Sequence, residues 1–174
     1  MADIKREQER EELHRSIWKI ADELRGAVDG WDFKQYVLGI MFYRYISENL
    51  EKYINAGEHE AGDTSFDYSK LSDEDALMGK ESLIEEKGFF IVPSELFCNV
   101  VAKADNDENL NETLERVFKN IEESAKGSVS EADFSGLFDD IDVNSNKLGS
   151  TVEKRNKKLA SVLKNIAEMK LSYG

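Results

Sequence analysis

Four cations stand within five positions at Lys154-Arg155-Asn156-Lys157-Lys158. Ammonium and guanidinium groups set this closely attract phosphate or carboxylate, so the run is the first candidate for a contact with an anionic partner. It reads equally as a solvated face near the edge of a domain, and residue type leaves both open. Lys34 and Arg44 flank the longest apolar run, residues 36–43. A guanidinium in such a setting calls for counter-charge, from an acid such as Asp22 or Glu48 or from a phosphate. The other reactive residues point to less. His14 and His59 lie 45 positions apart with no cysteine near them, so no metal site is expected. Cys98, the one cysteine, rules out an internal disulfide and, following Phe97 in an apolar stretch, reads as inert core. Asp105-Asn106-Asp107-Glu108-Asn109 looks superficially like a calcium loop. It lacks that loop's central glycine and downstream spacing and reads as a solvated loop or helix cap.

The net charge of −13 is unevenly distributed. Residues 61–150 carry 21 acidic against 8 basic side chains, whereas residues 151–174 carry 2 against 6. A duplex-binding surface must attract phosphate, so any such contact belongs near the chain ends and not in the middle. With 40% apolar and 34% charged residues, the chain has the composition of a soluble globular protein. The run at 36–43 is far short of the ~20 residues a membrane helix needs. The opening Met-Ala-Asp-Ile-Lys-Arg-Glu has no apolar core for a secretory signal, so a cytoplasmic protein is expected.

The elements that would hold these residues are helices. Leu13, Ile17, Ile20, Ala21, Leu24 and Val28 recur at helical spacing, with Trp18 beside them. A second helix from Phe33 to about Asn55 is apolar almost all round, which places it in the middle of a bundle. Trp18, Tyr36, Phe42 and Tyr45 are read as core aromatics in preference to base-stacking platforms. One or two short helices over 73–87 start from a Ser72 cap, and Gly88–Pro93 is the one strand-like stretch. Further helices are expected through Leu96–Val101 and along Leu110, Leu114, Val117, Phe118 and Ile121. Ser130–Asp140 is expected to be short and partly helical. The last helix, about 150–171, sets Leu148, Val152, Leu159, Val162, Leu163, Ile166 and Met169 on one stripe, with the basic run outward. The fold class is therefore mainly α, a single multi-helix, bundle-like domain over 1–174 with at most a minor β element.

Three blocks resemble the N-terminal domain of the modification (methyltransferase) subunits of type I restriction-modification systems. The first runs from Leu13 through Ile17-Trp18-Lys19-Ile20-Ala21-Asp22-Glu23-Leu24-Arg25-Gly26. The second is the aromatic helix from Phe33 to Glu48, with Tyr43-Arg44-Tyr45-Ile46-Ser47-Glu48 at its end. The third is Gly136-Leu137-Phe138-Asp139-Asp140-Ile141-Asp142, then Leu148-Gly149 and Glu153-Lys154-Arg155-Asn156. The resemblance covers essentially the whole chain. It implies a helical domain that precedes a Rossmann-like catalytic domain absent from this chain. It further implies a complex of two modification subunits and one specificity subunit that methylates adenine with S-adenosylmethionine, with a restriction subunit as further partner. The domain would help enclose double-stranded DNA and dock neighbouring subunits. Lys34, Arg44, Lys154, Arg155, Lys157 and Lys158 are then the candidate DNA or subunit contacts. Asp139-Asp140-Ile141-Asp142 reads as a structural turn or a subunit contact, not a catalytic carboxylate pair.

Amino-group methyltransferases of this class use an (Asn/Asp)-Pro-Pro-(Phe/Tyr) loop to hold the flipped base. This chain has a single proline, Pro93, and no two glycines one residue apart to form a cofactor loop. No catalytic, cofactor-binding or metal residue is therefore assigned within it, and S-adenosylmethionine is implied only for the full-length subunit. The acidic middle motivates one alternative, a stand-alone acidic interaction protein that imitates DNA charge and inhibits a nucleic-acid enzyme. A self-contained enzyme has no nucleophile–base pair behind it.

Overall fold

From Gly30 to Glu60 the chain forms one unbroken helix, α1. The computed structural model describes residues 30–139 and 141–168, with side chains from Tyr36 onward. At 1.5 Å per residue α1 is about 46 Å long. It runs further than the apolar pattern suggested, taking in the polar stretch through Gly57. Tyr36, Val37, Ile40, Met41, Tyr43, Ile46 and Leu50 are all buried, so most of its circumference is covered. Leu38 and Tyr45, each 40% exposed, and Tyr53, 41% exposed, are the exceptions. Tyr45 is thus only partly a core aromatic, whereas Tyr36 is buried and Phe42 packs half-buried against the core.

The segment after α1 is short-ranged. A 3-10 turn at Tyr68–Lys70 leads to α2 (Asp73–Leu77) and α3 (Lys80–Lys87). The Ser72 hydroxyl accepts from the Asp75 amide at 3.2 Å, the expected N-cap. A 3-10 turn at Pro93–Glu95 precedes α4 (Phe97–Lys103), and another at Ala104–Asn106 follows it. Next come α5 (Leu110–Ala125), the one-turn α6 (Glu131–Phe134) and α7 (Val152–Glu168). The last of these packs against α1, α4 and α5. On α5, Leu110, Leu114, Val117, Phe118 and Ile121 are all buried, as their spacing predicts. Burying each such side chain is worth about 1.5–3 kcal/mol, so this stripe is a large part of what holds α5 in place.

The strand-like stretch at Gly88–Pro93 forms no strand among the described residues: Gly88 is left-handed at the end of α3, and Pro93 opens a 3-10 turn. Phe89, Phe90 and Ile91 are buried, so the segment crosses the core and its backbone needs partners there. Side chains supply them in place of a sheet. The Ser124 hydroxyl accepts from the Phe90 amide at 3.0 Å, Ser128 donates to the Gly88 carbonyl at 2.8 Å, and Tyr68 donates to the Ile91 carbonyl at 2.7 Å.

Other backbone groups are met in the same way from α1. The Ser47 hydroxyl accepts from the Phe97 amide at 3.2 Å, capping α4, whose own N-cap Leu96 has no side-chain acceptor. Tyr36 donates to the Asp142 carbonyl and Tyr43 to the Glu95 carbonyl. Gly39 explains how the loop before α7 comes so close to α1. A Cβ there would stand 2.1 Å from Ile141 Cδ1 and 2.9 Å from Cγ1, inside van der Waals contact.

Ser47→Ala keeps the helix former but strands the Phe97 amide, so it should cost about 1–2 kcal/mol. Urea unfolding checks this as a lower midpoint at unchanged slope. An unchanged midpoint would mean that α4 does not depend on this cap.

Candidate nucleic-acid and subunit interface

The basic run lies on the first two turns of α7, and the loop before it fixes its orientation. Thr151 Oγ1 accepts from the Lys154 amide at 3.2 Å, which caps the helix start. Behind the cap, a Cβ at Gly149 would meet Lys154 Cβ at 2.7 Å and the Arg155 amide nitrogen at 3.0 Å. Only glycine lets the loop pass so close. The inward face carries Asn156, Leu159, Ala160, Val162, Leu163 and Ile166, all buried. Two expected members of this stripe are placed differently. Val152 is 45% exposed because it opens the helix, while Leu148 is buried but belongs to the preceding loop. Met169 lies outside the described residues.

The six candidate contacts separate into distinct settings. Lys154, Lys157 and Lys158 are exposed. Lys157 Nζ lies 3.4 Å from Glu153 Oε1, both side chains being more than three-quarters exposed, so the pair contributes little. Arg155 turns back onto its own loop, donating to the Gly149 carbonyl at 3.2 Å and toward Asn146 Oδ1 at 3.5 Å. Arg44 is buried, its Nε 2.7 Å from Glu48 Oε1 and its Nη1 2.5 Å from the Ile166 carbonyl. Of the two acids considered for it, Glu48 is engaged, and Asp22 lies outside the described residues. The Lys34 side chain also lies outside them. Arg44 and Arg155 therefore act within the fold, and the outward-facing cations are the three lysines.

Their position works against the helix. Lys154 and Arg155 lie in the first turn of α7, at the positive end of its dipole, where each cation costs a few tenths of a kcal/mol, and Lys157 and Lys158 follow in the second turn. Helix stability alone gives no reason to place them there. Toward one side the face borders a groove of about 680 Å³ whose lining includes Asp105, Asp107, Glu108, Glu153 and Lys157. Lys164 is drawn to the same side by Asp105, at 2.9 Å. Lys154 and Lys158, one turn apart, do not line this groove.

Two buried polar residues, Asn156 on this helix and Glu95 against α5, carry no obvious sequence label. Asn156 Oδ1 accepts from the Asn111 amide at 3.0 Å, and its Nδ2 donates to the Glu108 carbonyl at 2.8 Å, so α7 caps the start of α5. Its signal was a polar residue lying on the apolar stripe, between Val152 and Leu159. Glu95, also buried, accepts from Asn120 Nδ2 at 3.0 Å and faces Arg116 Nε at 3.4 Å.

Cys98 is not core. The residue is exposed, and its thiol points at Glu51 Oε1, 3.5 Å away. Partial burial of the sulfur, then the Glu51 charge, push the thiol up to about 12, which keeps it protonated and disfavours the reactive thiolate. His14 lies outside the described residues, and His59 is engaged with the Phe66 carbonyl at 2.9 Å. Asp107 accepts from the Asn109 amide at 2.9 Å and from the Thr113 hydroxyl at 2.6 Å, so this acidic segment is a loop turn leading into α5, whose N-cap Asn109 makes no side-chain cap bond. Asp142 Oδ1 accepts from the Asn144 amide at 3.0 Å, a local turn, and Asp140 lies outside the described residues. No described helix is long and apolar enough to cross a membrane.

Residues 13–166 match the family described as the HsdM N-terminal domain. The chain belongs to that family. It is 46% identical to the type I restriction enzyme MpnII methylase subunit of Mycoplasma pneumoniae over 96% of this chain and 32% of that protein. In three dimensions it resembles the crystal structure of a type I restriction-modification system methyltransferase subunit from Streptococcus thermophilus. That likeness has a TM-score of 0.74 at 28% identity, over 92% of this chain and 34% of the other. The chain thus spans about a third of the length of these relatives.

In this HsdM-type domain the inward and outward cations should separate by stability. Arg44→Met leaves the Ile166 carbonyl and Glu48 without their partner and should cost about 2–4 kcal/mol. Lys154→Gln should shift stability by no more than about 0.5 kcal/mol. Thermal and urea unfolding of the two variants check the contrast. Glu51→Gln removes the charge facing Cys98, so iodoacetamide at pH 8 should alkylate the thiol several-fold faster than in the parent chain. An unchanged rate would assign the protection to burial alone.

Proposed function

We propose that this domain helps enclose double-stranded DNA and dock neighbouring subunits in a cytoplasmic type I modification methyltransferase, and supplies none of the methyl-transfer chemistry itself. The observation that carries this reading is the lysine face of α7. Three exposed cations stand on the first two turns of one helix, and Lys154 among them lies in the first turn where it opposes the dipole, an arrangement that an anionic partner stabilises. Family membership supplies the context, since the relatives named as methylase or methyltransferase subunits are about three times as long.

The adenine specificity and the S-adenosylmethionine site belong, in this reading, to the part of such a subunit that the chain does not span. The residues present do not fit that cofactor. Among the described residues the glycines at positive φ, Gly62, Gly88, Gly127 and Gly136, are isolated in turns and helix ends. None has another beside it to let the backbone close on a ligand. The specificity subunit, a second modification subunit and the restriction subunit are the proposed protein partners.

The test is made on the full-length subunit assembled with its specificity subunit. Lys154→Gln, Lys157→Gln and Lys158→Gln together should weaken duplex binding. They should also flatten the dependence of log affinity on log salt by about 0.9 for each phosphate no longer neutralised. Assembly, read by size-exclusion chromatography, should be intact. Intact assembly with unchanged affinity and salt dependence would remove α7 from the DNA interface.

A further inference from the structure

A second surface lies away from α7, which contributes no residue to it. The last turns of α1, the 66–71 segment and helices α2 and α3 enclose an open groove of about 650 Å³. Its floor includes Ile54, Phe66 and Leu83, each only half-buried. The charged residues that line it are Glu58, Glu60, Asp75 and Glu86, all acids. Ala56, Gly57 and Gly79 also line it, so its walls are low enough for another backbone to approach closely. Beside Ala76 and Gly79, which line the groove, Leu77 is 50% exposed and Met78 88% exposed.

One wall is incomplete as it stands. α3 has eight residues and buries no side chain fully, although a helix this short is marginal in water without tertiary packing. It is held to α1 at one end, where Tyr53 donates to Glu86 Oε2 at 2.7 Å and Lys87 Nζ lies 4.9 Å from the Tyr53 ring centroid. Its groove-facing side is open.

We propose that this groove docks a basic amphipathic helix of a protein partner. Apolar side chains at helical spacing would occupy the floor, and lysines or arginines beside them would meet the four carboxylates. The charge complementarity selects this occupant: an all-acidic rim repels a nucleic-acid backbone, and an acidic helix with it. The site shares no residue with the lysine face and stands or falls independently of the DNA reading.

The probe is an 18-residue peptide of leucine, lysine and alanine with its leucines on one helical face, titrated into the full 174-residue chain by NMR and fluorescence anisotropy. Binding should shift resonances of Ile54, Phe66 and Leu83. Glu58→Lys with Glu60→Lys should weaken it at least tenfold, as should glutamate in place of lysine in the peptide. Met78 is so exposed that Met78→Asp leaves the fold intact, and this variant should also weaken binding. A scrambled peptide of equal composition that binds equally well would reduce the effect to non-specific attraction and overturn the proposal. Shifts confined to other surfaces would do the same. Nuclear Overhauser contacts from Phe66 or Leu83 to residues 1–28 in the free chain would also overturn it, by assigning the groove to the chain's own N-terminal segment.

Discussion

Everything else in the fold is arranged around a helix that is apolar on nearly every side yet carries a few polar tips. Tyr36, Tyr43, Arg44 and Ser47 fall within twelve residues of α1, and all four are buried. Each bonds a backbone group of a different segment: the Asp142 carbonyl, the Glu95 carbonyl, the Ile166 carbonyl and the Phe97 amide. An apolar helix alone would fix how much surface is buried but not which segment lies where. The polar tips add direction, because a carbonyl or amide left unmatched in that interior costs about 1–3 kcal/mol. Burial holds the Tyr43 hydroxyl well above its ordinary value, with Glu95 and Cys98 adding to it, so it remains a donor throughout the neutral range.

This explains how the described residues settle without a sheet among them. The segments between helices are mostly turns that bond some of their own backbone, but at 89–91 the chain crosses the core with no strand beside it. In a β protein a neighbouring strand would supply the missing partners. Here serine and tyrosine side chains do so, one at a time, which requires those side chains to be positioned first by helices. Asn156 follows the same logic at the other end of the molecule, where it ties α5 to α7 and so sets the rotation of α7 about its own axis. That rotation determines that Lys154 and Lys158 face outward while Leu159 and Leu163 face in.

The periodicity of apolar residues was enough to locate most of the described helices, while the helix read from Leu13 to Val28, with Trp18, lies outside the described residues. The α5 stripe is buried as a whole, and the Ser72 cap stands where the Ser-Asp-Glu-Asp sequence places it. What the sequence concealed was polar and inward. Ser47 and Glu95 look like surface residues by type, and Asn156 shows only as a polar residue set on an apolar stripe. Their partners lie 50, 25 and 45 positions away, and no local pattern encodes a bond across such a distance. The error at Cys98 has the same origin. An apolar neighbour suggested core, whereas a carboxylate 47 residues earlier defines its setting. The apolar stretch at 89–92 was visible from its residues, but whether it would find a strand partner was not.

The same geometry bears on how an acidic chain can meet an anion. With a Debye length of about 8 Å at physiological salt, distant charges matter little and those bordering the interface matter most. The overall −13 therefore does not exclude a phosphate from α7. The local neighbours decide where on α7 it can sit. On one flank Asp105, Asp107, Glu108 and Glu153 surround Lys157, and Asp105 also draws in Lys164. On the other, Lys154 and Lys158 lie one turn apart and outside that groove, so the least opposed position for an anion is along the Lys154–Lys158 edge. Lys157 is then better placed to offset the nearby acids than to meet the anion. This division follows from the rotation that Asn156 imposes, and it links a buried asparagine to the placement of charge on the outside of the domain.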